Sequence, residues 1–172
     1  MEFDLNKTFE VLERTPNVLN DLLSGLSDDW IINNEGEETW SPYDIMGHLV
    51  HGEHTDWMGR LNIILNDGDK HFIPFDRIAM FKESEGKNLQ QLLSEFAELR
   101  KANLEKLKRL ALTNDDLNKK GMHPAFGEVT LLQLLSTWTV HDLTHITQIT
   151  RVMAKQYKEA IGPWLAYFRV LQ

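Results

Sequence analysis

The chain predicts an all-α fold, a four-helix bundle, on three observations. Apolar residues recur at helical spacing through four long segments of the 172 residues. Three of those segments open on capping signatures, at Ser41, Asn88 and Thr130. No internal repeat, low-complexity tract or linker divides a chain of ordinary domain length, so residues 1–172 are expected to form one domain.

The first helix is expected from Leu5 to Leu23, with Leu5, Phe9, Leu12, Leu19, Leu22 and Leu23 on its apolar side. Pro16 lies inside it. A proline removes one hydrogen bond and clashes with the preceding turn, so a kink or restart is expected at Thr15-Pro16, and Gly25 is the stop. The second helix begins after Ser41 as N-cap, with Pro42 at the first position and Asp44 at the third, and should run to Leu65 before Asn66-Asp67-Gly68-Asp69. An irregular stretch from Gly68 to Lys87 follows. The third helix runs from Leu89 to Leu110, and its charges, Arg100 among them, read as a solvated face. A second irregular stretch, Thr113 to Val129, leads to a fourth helix from Thr130 to Ala154 and a short last helix from Pro163. The connection between helices two and three, about 20 residues, is far longer than an antiparallel turn needs and permits a crossover.

Composition removes whole classes of function. Asp and Glu outnumber Lys and Arg by 26 to 18, a formal charge of −8, so neither nucleic acid nor an anionic membrane is an expected partner. The absence of cysteine excludes a disulfide framework, a thiolate zinc site and a cysteine nucleophile. The N-terminal residues lack a signal-peptide pattern, and no apolar run approaches the roughly 20 residues of a membrane span, so a cytoplasmic protein is expected.

Seven histidines remain as nitrogen ligands. His145 falls in the apolar stripe of the fourth helix and His141 on its edge. At i and i+4 their rings project from one face and could take adjacent positions on one metal ion. The residue after His141 is Asp142 rather than the glutamate of zinc proteases, which argues against a protease. A third ligand is needed, and His48, His51 and His54 are candidates on the second helix. Each is turned by about 60° from the next, and periodicity does not choose among them. His48 lies beside Gly52, Thr55 and Gly59, where another helix could approach, whereas His51 and His54 read as surface or rim residues. His71 and His123 lie in irregular segments and read as solvated, either being able to border a pocket. Glu53 and Asp56 read as surface acids, Glu53 being the first to test as an acid or base, and Asp142 is a candidate for orienting a ligating imidazole. Trp40, Trp57, Trp138 and Phe126 could line a small-molecule pocket or simply fill the core.

Three blocks resemble the DinB-like (DinB/YfiT-like) family: Leu12-Glu13-Arg14-Thr15-Pro16 through Leu26; Trp40-Ser41-Pro42 with Gly47-His48-Leu49; and His123-Pro124 through Leu131, followed by Thr137-Trp138-Thr139-Val140-His141-Asp142-Leu143-Thr144-His145-Ile146. Gly162-Pro163-Trp164 adds to the likeness. The resemblance implies a four-helix bundle in up-down-down-up order and a metal site at His48, His141 and His145. It implies a divalent ion, zinc or nickel first, with iron or manganese as alternatives, and commonly a homodimer. Some members transfer low-molecular-weight thiols to small electrophiles. The resulting expectation is a metal-dependent thiol transferase acting on a small molecule, with a metal-dependent hydrolase or a non-catalytic stress-associated metal binder as alternatives. Lacking cysteine, such a transferase would take its sulfur from a cofactor.

Overall fold

A computed structural model describes residues 2–172. The helices are α1 (Leu5–Leu12), α2 (Thr15–Leu23), α3 (Asp28–Ile32), α4 (Pro42–Thr55), α5 (Trp57–Leu65), α6 (Ala79–Ser84), α7 (Leu89–Arg109), α8 (Asn114–Leu117) and α9 (Leu131–Lys155). A hairpin of β1 (Lys120–His123) and β2 (Gly127–Thr130) precedes α9, and two short 3-10 turns, Gly162–Tyr167 and Arg169–Leu171, end the chain.

The four bundle members are α1–α2, α4–α5, α7 and α9. Their order is up-down-down-up, and the cross-helix bonds show it. Ser24 bonds Gln90 while Arg100 reaches back to the Leu12 carbonyl, so α1–α2 and α7 are antiparallel. Tyr43 donates to the Lys87 carbonyl and Arg100 bonds Glu53, so α4 and α7 run parallel. His48 meets His141 and Trp57 stacks on Trp138, which makes α4–α5 antiparallel to α9. The long connection after α5 is the crossover that the parallel pair requires.

Local chemistry sets the boundaries. Thr15-Pro16 breaks the first helix where expected, and Gly25, at φ 78°, closes α2 in the left-handed region. Ser41–Asp44, Asn88–Gln91 and Thr130–Gln133 all form reciprocal capping boxes. The expected second helix is two helices, because the chain departs from helical geometry at Asp56 (φ −102°, ψ −68°), where Thr55 Oγ1 donates to the His51 carbonyl. Both irregular stretches hold more order than expected: α6 lies in the first, and α8 and the hairpin in the second. Lys70–Phe72 pairs with Met122 of β1, tying the crossover to the hairpin.

The apolar core is in two parts. Leu12, Trp57, Leu61, Leu104, Leu107, Leu135 and Trp138 fill one end of the bundle. Leu19, Ile45, Leu49, Val50, Phe96, Ile149 and Val152 fill the other. Between them, on α4, α7 and α9, lie the buried Glu53, Arg100 and Asp142.

Candidate metal centre

The Ser41 box and Pro42 start α4 so that His48 projects toward α9, and the antiparallel run of α9 places His141 and His145 opposite it. The three rings meet. His48 Nε2 is 3.0 Å from His141 Nε2, which is 3.1 Å from His145 Nε2. Trp40 packs at 4.9 Å and Phe75 edge-on at 5.4 Å against His48, and Trp57 lies edge-on to His141 at 5.0 Å.

Burial sets the charge of these rings. Desolvation, with the neighbouring histidines and Arg77 adding to it, pushes the His48 pKa down to about 3. Desolvation, with His145, His48 and Arg100 adding to it, pushes His141 to about 2. Desolvation lowers His145 as well, opposed by its bond to Gln148 and the charge of Asp142. All three are neutral at pH 7, the state in which an imidazole ligates a metal.

A neutral imidazole has one N–H and one lone pair. His145 Nδ1 lies 2.8 Å from Gln148 Oε1, which places its hydrogen there and leaves the Nε2 lone pair facing His141. The Nδ1 atoms of His48 and His141 are buried without partners. With the hydrogen on Nδ1 of each ring, the Nε2 lone pairs face one another at 3.0 and 3.1 Å, and a divalent cation would take all three together. Nitrogens about 2.0–2.1 Å from a tetrahedral ion stand about 3.3 Å apart, and the His48–His141 and His141–His145 separations are within a few tenths of that. The donor set therefore fits a metal ion, and His48, His141 and His145 form a group that could hold one.

Behind the histidines, Arg100 holds two buried carboxylates. Its Nε and Nη2 donate to Glu53 Oε1 at 3.0 and 2.8 Å, and Nη1 and Nη2 donate to Asp142 at 2.5 and 2.9 Å. Trp138 Nε1 and Asn103 Nδ2 complete the shell of Glu53. In front of the histidines opens a cavity of about 620 Å3. Trp40, Trp57, Phe72, Phe75 and Phe126 supply its aromatic walls, and Asp56, Arg60 and Arg77 its charges. Asp56 is paired with Arg60 at 2.5 Å, and burial still raises its pKa against that pairing.

A family model described as the DinB superfamily matches residues 11–149. The chain belongs to the DinB superfamily. Among solved structures, YfiT from Bacillus subtilis, described as a probable metal-dependent hydrolase with an unusual four-helix bundle topology, superposes with a TM-score of 0.72 at 20% identity, over 91% of this chain and 87% of YfiT. TT2238, a four-helix bundle protein, superposes at 0.57 with 17% identity, over 86% of this chain and 98% of its own. Both likenesses are of fold. No curated protein matches the chain in sequence.

Several expectations need correction. His51 is not a rim residue: it is 3% exposed and bonds Glu83 at 2.7 Å, tying α4 to α6. His54 is on the rim, against Glu95, and His71 is exposed, but His123 lines the cavity, stacked on Phe126. Glu53 is not a surface acid open to substrate, since Arg100, Asn103 and Trp138 consume it in the core. Asp142 bonds Arg100 rather than an imidazole. Trp138 is core, while Trp40, Trp57 and Phe126 line the cavity. Arg100, expected on a solvated face, is buried, and the sequence carries a signal for it. It stands four residues from Phe96 and Leu104 and seven from Leu93 and Leu107, in the register of the core face.

Proposed function

We propose that the chain is a metal-dependent enzyme in which His48, His141 and His145 hold a divalent ion, zinc or nickel first, and that it transfers a low-molecular-weight thiol to a small electrophile bound in the adjoining cavity. The observation that carries this reading is the meeting of three neutral imidazole Nε2 atoms at the floor of a cavity of small-molecule size. Three neutral ligands leave the ion's charge undiminished, and such an ion lowers the pKa of a bound thiol or water.

The chain's own part is to bind, orient and exclude water. Trp40, Trp57 and Phe75 hold the rings in place and keep bulk water from their flanks. Gln148 fixes the tautomer of His145. The cavity offers one carboxylate, Asp56, and Arg60 already occupies it. A thiol activated by the ion needs no separate base, which favours thiol transfer over chemistry that demands a free acid–base pair. A second reading, hydrolysis through activated water, draws support from the description of YfiT as a probable metal-dependent hydrolase.

Elemental analysis of purified protein and of His48→Ala, His141→Ala and His145→Ala tests the site. We expect about one divalent ion per chain and its loss in each variant. Unchanged metal content in all three would overturn the assignment. Thiol-dependent against thiol-independent turnover of an electrophilic ester separates transfer from hydrolysis.

A further inference from the structure

The charges around the cavity are distributed unevenly. The acids near it are each committed. Asp56 pairs with Arg60, and Glu83 pairs with His51. Asp76 Oδ1 accepts the backbone N–H groups of Ile78 and Ala79, so the acid next to Arg77 in the chain is used by the start of α6. Glu53 and Asp142 are sealed behind the histidines with Arg100. Arg60 is spent twice, on Asp56 and over the Phe72 ring. Among the described residues, Arg77 is the one cavity-lining cation with no carboxylate within salt-bridge distance.

Unpaired surface cations are ordinary, so position decides the matter. Two residues before Arg77, the Phe75 ring packs on both His48 and His51, at 5.4 and 5.0 Å, which anchors this part of the crossover against the site. In a chain of net charge −8, the cavity wall carries Arg60, Arg77 and a single acid. With three uncharged histidines at its floor, any ion held there adds further positive charge. The site is a cationic focus in an acidic protein, and a focus of that sign selects anions.

We propose that the substrate or thiol cofactor bound in this cavity carries a carboxylate, which Arg77 holds while the reacting end of the molecule faces His48, His141 and His145. The inference rests on reading the cavity as the binding site of the reaction. A single uncommitted guanidinium presents a planar fork that matches one carboxylate. The apolar walls, Trp40 and Phe126 among them, take the uncharged body between the two ends.

Matched probes test this: mercaptopropionate and mercaptohexanoate, each against its uncharged amide, which keep the thiol and change only the tail. Binding is read in two ways, by the cobalt–thiolate absorption of cobalt-loaded protein and by quenching of Trp40 and Trp57 in metal-free protein. We expect a carboxylate probe to bind about tenfold more tightly than its amide, the scale of one charge-assisted hydrogen-bonded contact. In Arg77→Ala the preference should vanish while amide binding is unchanged, and Arg77→Lys should restore part of it. Arg77 is exposed, so neither change removes a buried group, and circular dichroism verifies the fold. A preference that survives in Arg77→Ala, or that is lost only in Arg60→Ala, overturns the proposal. Equal binding of acid and amide in both readouts also overturns it. A cobalt spectrum blind to every thiol, alongside an Arg77-dependent preference in the quenching, supports the anion site and overturns the thiol reading instead.

Discussion

Replacing Arg100 with Met leaves two buried carboxylates, Glu53 and Asp142, without their counter-charge. The guanidinium is 1% exposed, and the Glu53 and Asp142 side chains it serves are 0% exposed. Five donor contacts disappear: two to Glu53 Oε1, two to Asp142 and one to the Leu12 carbonyl. Removing one partner of a buried ion pair costs about 3–5 kcal/mol, because the other charge stays desolvated. Here one cation serves two anions, so Arg100→Met should fall at or above the upper end of that range. Domains of this kind have about 5–15 kcal/mol in total, and with a urea slope of about 2 kcal/mol per M a loss of about 5 kcal/mol should lower the midpoint by about 2.5 M. The assay is urea unfolding of metal-free protein followed by tryptophan fluorescence and circular dichroism. A triple variant, Arg100→Met with Glu53→Gln and Asp142→Asn, removes the stranded charges and should recover a substantial part of the loss. If Arg100→Met shifts the midpoint by less than about 0.5 M, or the triple variant is no more stable than the single, the account of this layer as a mutually compensated charge cluster is wrong.

Other perturbations separate further parts of the argument. The folded pKa values of His48 and His141, about 3 and about 2, lie below the ordinary 6.5, so the unfolded chain binds more protons between those values. Metal-free protein should therefore keep its full histidine contribution above pH 6.5 and lose up to about 1.4 kcal/mol per ring per pH unit below it. A urea midpoint that stays flat from pH 7.5 to pH 5 would contradict that burial. At Gly121 an added Cβ would run into the Phe72 ring and Ile64, so Gly121→Ala should cost about 1–3 kcal/mol by overpacking. At Gly47 the Cβ would meet mainly the Ser84 hydroxyl, so Gly47→Ala should cost less than Gly121→Ala in the same denaturation series. Glu35 is held down to about 2 by Arg151 and Lys155, with burial opposing. Its contribution should be whole above pH 4.5 and fade as the pH falls toward 2, so the acid-limb difference between wild type and Glu35→Gln should close over that range.

The four helices were legible because periodicity and caps are local. Ser41, Asn88 and Thr130 head their helices as their side chains dictate, and Pro16 breaks the first helix for a steric reason that needs no tertiary information. The hairpin was not legible. Lys120–His123 is four residues long and exists through pairing with Gly127–Thr130 and with Lys70–Phe72, a contact across the crossover. The same limit applied to the histidines. His141 and His145 share a face by spacing alone, but the difference between His48 and His51 depends on which neighbour each meets. His48 meets α9, and His51 meets Glu83 of α6, a helix hidden in a stretch read as irregular.

The charged residues carry a sharper lesson. Glu53, Arg100 and Asp142 each occupy the core register of their helix, yet charge usually prevails over register, so sequence alone does not place them in the core. Three such violations at one level of a bundle compensate one another, and together they divide the apolar core in two. Their placement ties this layer to the site. Asp142 follows His141 on α9, Glu53 lies little more than a turn beyond His48 on α4, and Arg100 on α7 grips both. The third helix contributes no histidine to the cluster, yet it cross-links the two helices that do. An apolar layer would let α4 and α9 slide on each other at little cost, since apolar contacts are non-directional. Hydrogen-bonded charges tolerate no such shift, so this layer fixes the register of the two helices directly behind rings that meet at 3.0 and 3.1 Å.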